Sequence, residues 1–265
     1  MRVHHLNCGT MNAPGISHVV CHVLLCETSA GLVLVDTGVG TGDIADPAAR
    51  IGPMRRLLRP AFDPDETAIA RVRRLSHDPA DVAHIVLTHL DFDHAGGLSD
   101  FPHATVHTTT AEHRAAMIAP RRAERTRYRP AQWAHRPTMQ TYDGTGEAWR
   151  GFAGALPLSG IDGIALIPMA GHTRGHAAVA VDTGNGLLVH AGDAAFDGSS
   201  IGAQASDGQP LATMWQLRAF ETLAAVRPWR IAANHRRLIE LRTEPGATVF
   251  TAHDGRLLDA MAARA

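Results

Sequence analysis

The chain contains no lysine: all 25 cationic side chains among its 265 residues are arginine. That excludes a lysine Schiff base and the lysine of a phosphate-binding P-loop. Cysteine is nearly absent, and Cys8, Cys21 and Cys26 are odd in number and lack C-x-x-C spacing. They read as reduced structural thiols, not as a disulfide framework. Neither charge is in excess, because 26 acidic residues leave a net −1. A nucleic-acid partner would call for a basic footprint, so none is expected. The longest apolar runs are strand-sized, such as 31–35, whereas a membrane span needs about 20 residues. Residues 1–7 carry no apolar signal core, so a cytoplasmic protein with no membrane partner is expected.

What remains is ordinary globular material, 45% hydrophobic and 19% charged. A chain of this length buries roughly 70–75% of its extended surface and needs no metal merely to fold. Apolar, β-branched runs at 18–26, 32–35, 84–88, 104–108, 164–169, 177–182, 187–190 and 248–251 read as strands. Helices are expected at 65–75, 110–118, 211–226 and 229–241. Strand blocks separated by helices in both halves predict an α/β protein of two sheets with helices outside them, in one domain spanning 1–265. Residues 119–150 hold many arginines, two tryptophans and both tyrosines without clear periodicity. They read as a lid or substrate loop. The arginines at 121, 122, 125, 127 and 129 are expected to form a solvated face, with one or two able to meet an anionic substrate.

Seventeen histidines raise the question of metal. The sharpest signal is Thr88-His89-Leu90-Asp91-Phe92-Asp93-His94-Ala95-Gly96-Gly97, which places four ligand-type side chains within six residues just after an apolar strand. Imidazole with carboxylate suits Zn²⁺, Mn²⁺ or Fe. Three later segments, Gly171-His172-Thr173-Arg174-Gly175-His176, Ala191-Gly192-Asp193 and Ala252-His253-Asp254-Gly255, each put a ligand-type residue just beyond a strand.

From the Asp36-Thr37-Gly38 turn to His253, this pattern resembles the metallo-β-lactamase superfamily of hydrolases, and most of all its N-acyl homoserine lactonase-like branch. The resemblance implies an αββα sandwich with metals at one edge of its two sheets. It implies two divalent ions, one held by His89, Asp91 and His172 and the other by Asp93, His94 and His253, with Asp193 bridging. Zinc is the family's usual metal. The implied reaction is hydroxide attack on the carbonyl of a small ester, above all a lactone, with Asp93 passing a proton to the leaving alkoxide. A glyoxalase II-like thioesterase and a mononuclear iron dioxygenase are the alternatives, and a non-enzymatic ligand sensor is a third class. The expected partner is a small-molecule substrate, and the 257–265 tail leaves room for a homodimer.

Two positions depart from the family pattern. Asp91 stands where a histidine is usual. Two divalent ions, three aspartates and a hydroxide then sum to zero charge, where the histidine version leaves one positive charge. That favours the harder Mn²⁺ or Fe, or leaves Asp91 beside the metals without touching them. Phe196 stands where lactonases of this family carry a tyrosine, and Tyr128 or Tyr142 would have to reach in instead. Asp36 is expected either to hydrogen-bond an imidazole or simply to make its turn. His176 and His190 are expected to pack or hydrogen-bond beside the site, and His18 and His22 to share one strand face as a structural pair.

Overall fold

The computed structural model describes residues 1–122, 124–144, 146–149, 152–205 and 207–263. Six strands, β1 Arg2–Met11, β2 Val19–Thr28, β3 Gly31–Val35, β4 Val82–Val86, β5 Thr105–Thr109 and β6 Thr138–Tyr142, lie side by side in that order. The β1–β2 and β2–β3 pairs are antiparallel, while β3 to β6 run parallel. The second sheet contains β7 Glu147–Trp149, β8 Phe152–Pro157, β9 Ile164–Pro168, β10 Ala177–Asp182, β11 Leu187–His190 and β12 Ala247–Phe250. Its neighbours are antiparallel except for the parallel β11–β12 pair.

The continuous apolar runs of β2 and β3 follow from burial on both faces. Leu24, Cys26, Val33 and Val35 face the second sheet and pack with Leu166, Val179 and Val189. Their alternates Val23, Leu25, Leu32 and Leu34 face outward onto Ala68 and Val72 of the helix Ala68–Arg74. Leu238 and Leu241 of the helix Ile231–Arg242 close the other side of the second sheet. The result is the two-sheet, helix-flanked sandwich that the resemblance implies. Among the described residues no helix is long and apolar enough to cross a membrane.

Some local expectations need correction. The 119–150 segment, read as irregular, includes a helical turn at Glu124–Arg127, another at Pro130–Trp133, and the strands β6 and β7. Strand β6, Thr-Met-Gln-Thr-Tyr, is a half-exposed edge with no apolar alternation to betray it. Nothing in the sequence had pointed to β8 either. His18 is not a partner of His22: it precedes β2 in a left-handed conformation (φ 58°) and its ring reaches toward Asp259. The tail forms the helix Gly255–Ala262, which buries Leu257, Leu258 and Ala260 within this chain.

Several of the histidines are neutral core residues. His107 is fully buried, with Nε2 3.0 Å from His84 Nδ1 and Nδ1 2.9 Å from the Tyr142 hydroxyl. Burial, with His84 beside it, pushes its pKa down to about 4 from 6.5. The native state therefore refuses a proton that the unfolded chain accepts. This contribution to stability is complete above pH 6.5 and is lost as pH falls toward 4. At about 1.4 kcal/mol per pH unit, it removes about 2 kcal/mol by pH 5. Thermal midpoints measured from pH 7 to pH 5 are expected to fall less steeply for His107→Gln than for the parent. Parallel curves would contradict this assignment.

Candidate metal centre

The carboxyl ends of β3, β4, β9, β11 and β12 open on one edge of the sandwich. Strand β9 points the same way as β11, because each is antiparallel to the intervening β10. From these ends the chain delivers Asp36, His89 with Asp91, Asp93 and His94, then His172, Asp193 and His253. All seven residues proposed from the sequence as ligands come together.

Asp193 sits at the middle. Its Oδ1 lies 3.3 Å from His94 Nε2 and 3.1 Å from His253 Nε2. Its Oδ2 lies 3.7 Å from His89 Nε2 and 3.1 Å from His172 Nε2. Asp91 Oδ2 joins the second pair, 3.2 Å from His89 and 3.0 Å from His172. Asp93 Oδ2 joins the first, 3.6 Å from His253. One carboxylate thus separates two sets of donors, each with its ligand atoms within 4.8 Å of one another. His89 Nε2 and Asp193 Oδ1 are buried without any hydrogen bond, a costly state unless a cation meets them. Burial alone would lift the Asp193 carboxyl, yet His253, His94 and His172 hold it well below the usual carboxylate range. Burial and Arg127 push His172 down to about 3, which keeps its imidazole neutral and able to ligate. The residues fit divalent ions.

The far nitrogens of His89, His94 and His253 are held from behind, as metal-binding imidazoles require, while His172 Nδ1 is buried without a partner. Asp36 Oδ2 lies 2.8 Å from His94 Nδ1, and its Oδ1 accepts from Thr88 N at 2.8 Å. Of the two roles weighed for Asp36, the structure thus shows a hydrogen bond to a ring of the centre. His253 Nδ1 lies 2.9 Å from Val20 O, so β2 of the first sheet holds the loop after β12 of the second. His176 Nε2 accepts from Asp193 N at 2.9 Å, and His190 Nδ1 accepts from Gly192 N at 3.1 Å. Both therefore serve beside the site, as the sequence suggested. Gly192 has φ +52°, and a Cβ there would meet His176 Nε2 at 2.6 Å. Only glycine lets the chain turn so tightly into Asp193.

The sequence profile of the Metallo-beta-lactamase superfamily matches residues 17–253. The chain belongs to the metallo-β-lactamase superfamily. Among its relatives in the superfamily, "Probable metallo-hydrolase Rv2300c" of Mycobacterium tuberculosis is 49% identical over 257 residues, covering 96% of this chain and 80% of that protein. An N-acyl homoserine lactonase of Bacillus cereus is 25% identical over 180 residues, covering 67% of this chain and 64% of the lactonase. A solved N-acyl homoserine lactone hydrolase, with N-hexanoyl-L-homoserine bound at its catalytic metal centre, shares the fold. It aligns at TM-score 0.67 and 19% identity, over 95% of this chain and 92% of its own. Like its metallo-hydrolase relatives in the superfamily, the chain is a metal-dependent hydrolase.

Against this superfamily background the two departures acquire surroundings. Burial alone would raise the Asp91 carboxyl, but Arg127 and His89 hold it well below the usual range. The Arg127 guanidinium grips it with both ends of its fork: Nε donates to Oδ1 at 2.6 Å and Nη2 donates to Oδ2. Phe196 packs its ring against His172 and His253, with centroids 5.4 and 5.1 Å apart. Neither tyrosine replaces its missing hydroxyl. Tyr128 donates to Glu112 Oε1 at 2.8 Å, and Tyr142 lies beside His107.

Sequence reasoning missed Glu112 altogether. Its fully buried carboxylate accepts from Leu90 N at 3.0 Å, the Tyr128 hydroxyl, Thr173 Oγ1 at 2.7 Å and Gly175 N at 3.1 Å. It thereby fastens the two loops that carry His89, Asp91 and His172. The only local clue was Thr109-Thr110-Ala111-Glu112, a helix-start pattern. Thr109 does cap that turn, accepting from Glu112 N at 3.1 Å, but the glutamate side chain turns inward.

Proposed function

We propose that the chain is a cytoplasmic hydrolase of small esters, with lactones of the N-acyl homoserine type as its leading substrate class, and that it works with two divalent ions. His89, Asp91 and His172 would hold one ion and Asp93, His94 and His253 the other, with Asp193 between them. The observation that carries the reading is the split presentation of Asp193, one oxygen toward each pair of imidazoles. The lactonases among the relatives support the substrate class. Zinc is the family's usual metal, and the carboxylate of Asp91 extends the range to Mn²⁺ or Fe.

Bound there, such ions would acidify water and polarise a carbonyl. The chain's own groups do the rest. Asp93 is only slightly exposed, with Oδ2 3.6 Å from His253 Nε2, and would hold a proton for the alkoxide that leaves when a lactone opens. Phe196 supplies an apolar wall over His172 and His253 without offering a donor to the substrate. Transition-state support must then come from elsewhere in the centre.

Metal-loaded protein should open N-acyl homoserine lactones with a higher kcat/KM than it shows toward thioesters of glutathione or toward β-lactams. Ring opening can be followed by proton release. A loaded protein that cleaves the thioester and leaves every lactone intact would overturn the substrate class.

A further inference from the structure

The two halves of the centre differ in one respect. The Asp93–His94–His253 half faces no arginine in any ion pair among the described residues. The His89–Asp91–His172 half has a guanidinium inside it. Arg127 Nη2 contacts both Asp91 Oδ2 and His172 Nε2, the two atoms that converge on this half from opposite loops. Nη1 is anchored by the carbonyl of Ala224 at 2.6 Å, at the end of the helix Trp215–Ala224. Arg127 is mostly buried, its side chain 19% exposed. A guanidinium does not give up its charge.

A cation so placed competes with any other cation for the same two atoms. A metal ion that takes His172 Nε2 and Asp91 Oδ2 must first move Nη2 aside, separating a buried ion pair as it does so. No such obstacle guards the other half. The pair also makes sense of the substitution at position 91. The aspartate subtracts one charge from the centre, and the arginine, 36 residues further on, restores it.

We propose that Arg127 is a resident counter-cation of the His89–Asp91–His172 half, so that ions load in order: tightly at Asp93, His94 and His253, then weakly beside Arg127. This rests on the two-ion reading above. In it Arg127 is a positioning residue that acts through Asp91 and His172.

The test is a Zn²⁺ titration of metal-free protein against a chromophoric chelator, with ions per chain counted by elemental analysis. The parent should show two dissociation constants at least ~30-fold apart. Arg127→Gln should tighten the weaker one by ~10-fold or more, a shift of about 1.4 kcal/mol, and leave the tighter one within ~3-fold. Asp91→Ala should lose the weak ion and keep the tight one, which assigns the order to the two halves. Two equal constants in the parent would overturn the proposal even if Arg127→Gln failed to fold. So would a weak constant unmoved by Arg127→Gln. If instead the parent bound no ion stoichiometrically, the two-ion reading itself would fall.

Discussion

Asp193→Ala is expected to lower kcat/KM for lactone opening by ~10³-fold or more and to reduce bound metal to one ion or none. Four imidazoles converge on its two oxygens, within 3.1–3.7 Å. Without it no carboxylate joins the two pairs, and only Asp91 and Asp93 remain at their sides. Burial alone would lower the pKa of His94, and it is Asp193, with Asp36, that raises it well above its ordinary value. The same negative field is what draws a divalent ion to this spot. Metal-based charge stabilisation is worth several kcal/mol in a transition state, and about 4 kcal/mol is a factor of 10³ in rate. Asp193→Asn separates shape from charge, since it keeps the outline and discards the field. Retention of both metal and rate within ~3-fold in the asparagine variant would show that Asp193 does not join the two halves.

Glu112→Ala is expected to be the most destabilising single change near the centre. Two backbone amides and two hydroxyls, from Leu90, Gly175, Tyr128 and Thr173, would lose their acceptor in a fully buried place. Orphaned buried donors cost about 1–3 kcal/mol each. Partial relaxation should still leave a loss of about 3–5 kcal/mol. For a chain of this size that is a fall of roughly 10 °C in the thermal midpoint. Glu112→Gln keeps one acceptor oxygen but turns an amino group toward a donor, so it should fall between the two. The loss should persist in metal-free protein, because the four bonds join loops and not ligands. A midpoint within ~2 °C of the parent would remove Glu112 from its place as the fastening of the site.

How much of this the sequence displays depends on the range of the interaction. The ligands are legible because they are local: His89, Asp91, Asp93 and His94 crowd one turn, and each later ligand directly follows an apolar strand. The burial of β2 and β3 on both faces is legible for the same reason, as unbroken apolar runs. Glu112 and Arg127 are not, because each acts through partners 16 to 97 residues away, and nothing around them differs from a helix start or an arginine-rich surface. Arg127 sits in the very run that reads as a solvated face. In the structure Arg121, Arg122 and Arg125 are exposed, as that reading expects, while Arg127 turns in. Strand β6 was hidden by its polarity, and His18 by a backbone angle that spacing alone does not reveal.

The parts of the centre also have a birth order. His94 and His253 are separated by 159 residues, yet their Nε2 atoms end 3.4 Å apart. At about 5–20 residues per second of synthesis, the chain carries its first four ligands for roughly 10–30 s before the last is made. Asp193 is missing for the first 99 of those 159 residues and His253 for all of them, and β12 pairs with β11 only near the end. A chain interrupted before residue 253 is an incomplete chelator, however well its first sheet has formed. The two halves thus come of age apart: the His89–Asp91–His172 set is complete once residue 172 is made, while the Asp93–His94–His253 set waits for β12 and the loop that follows it.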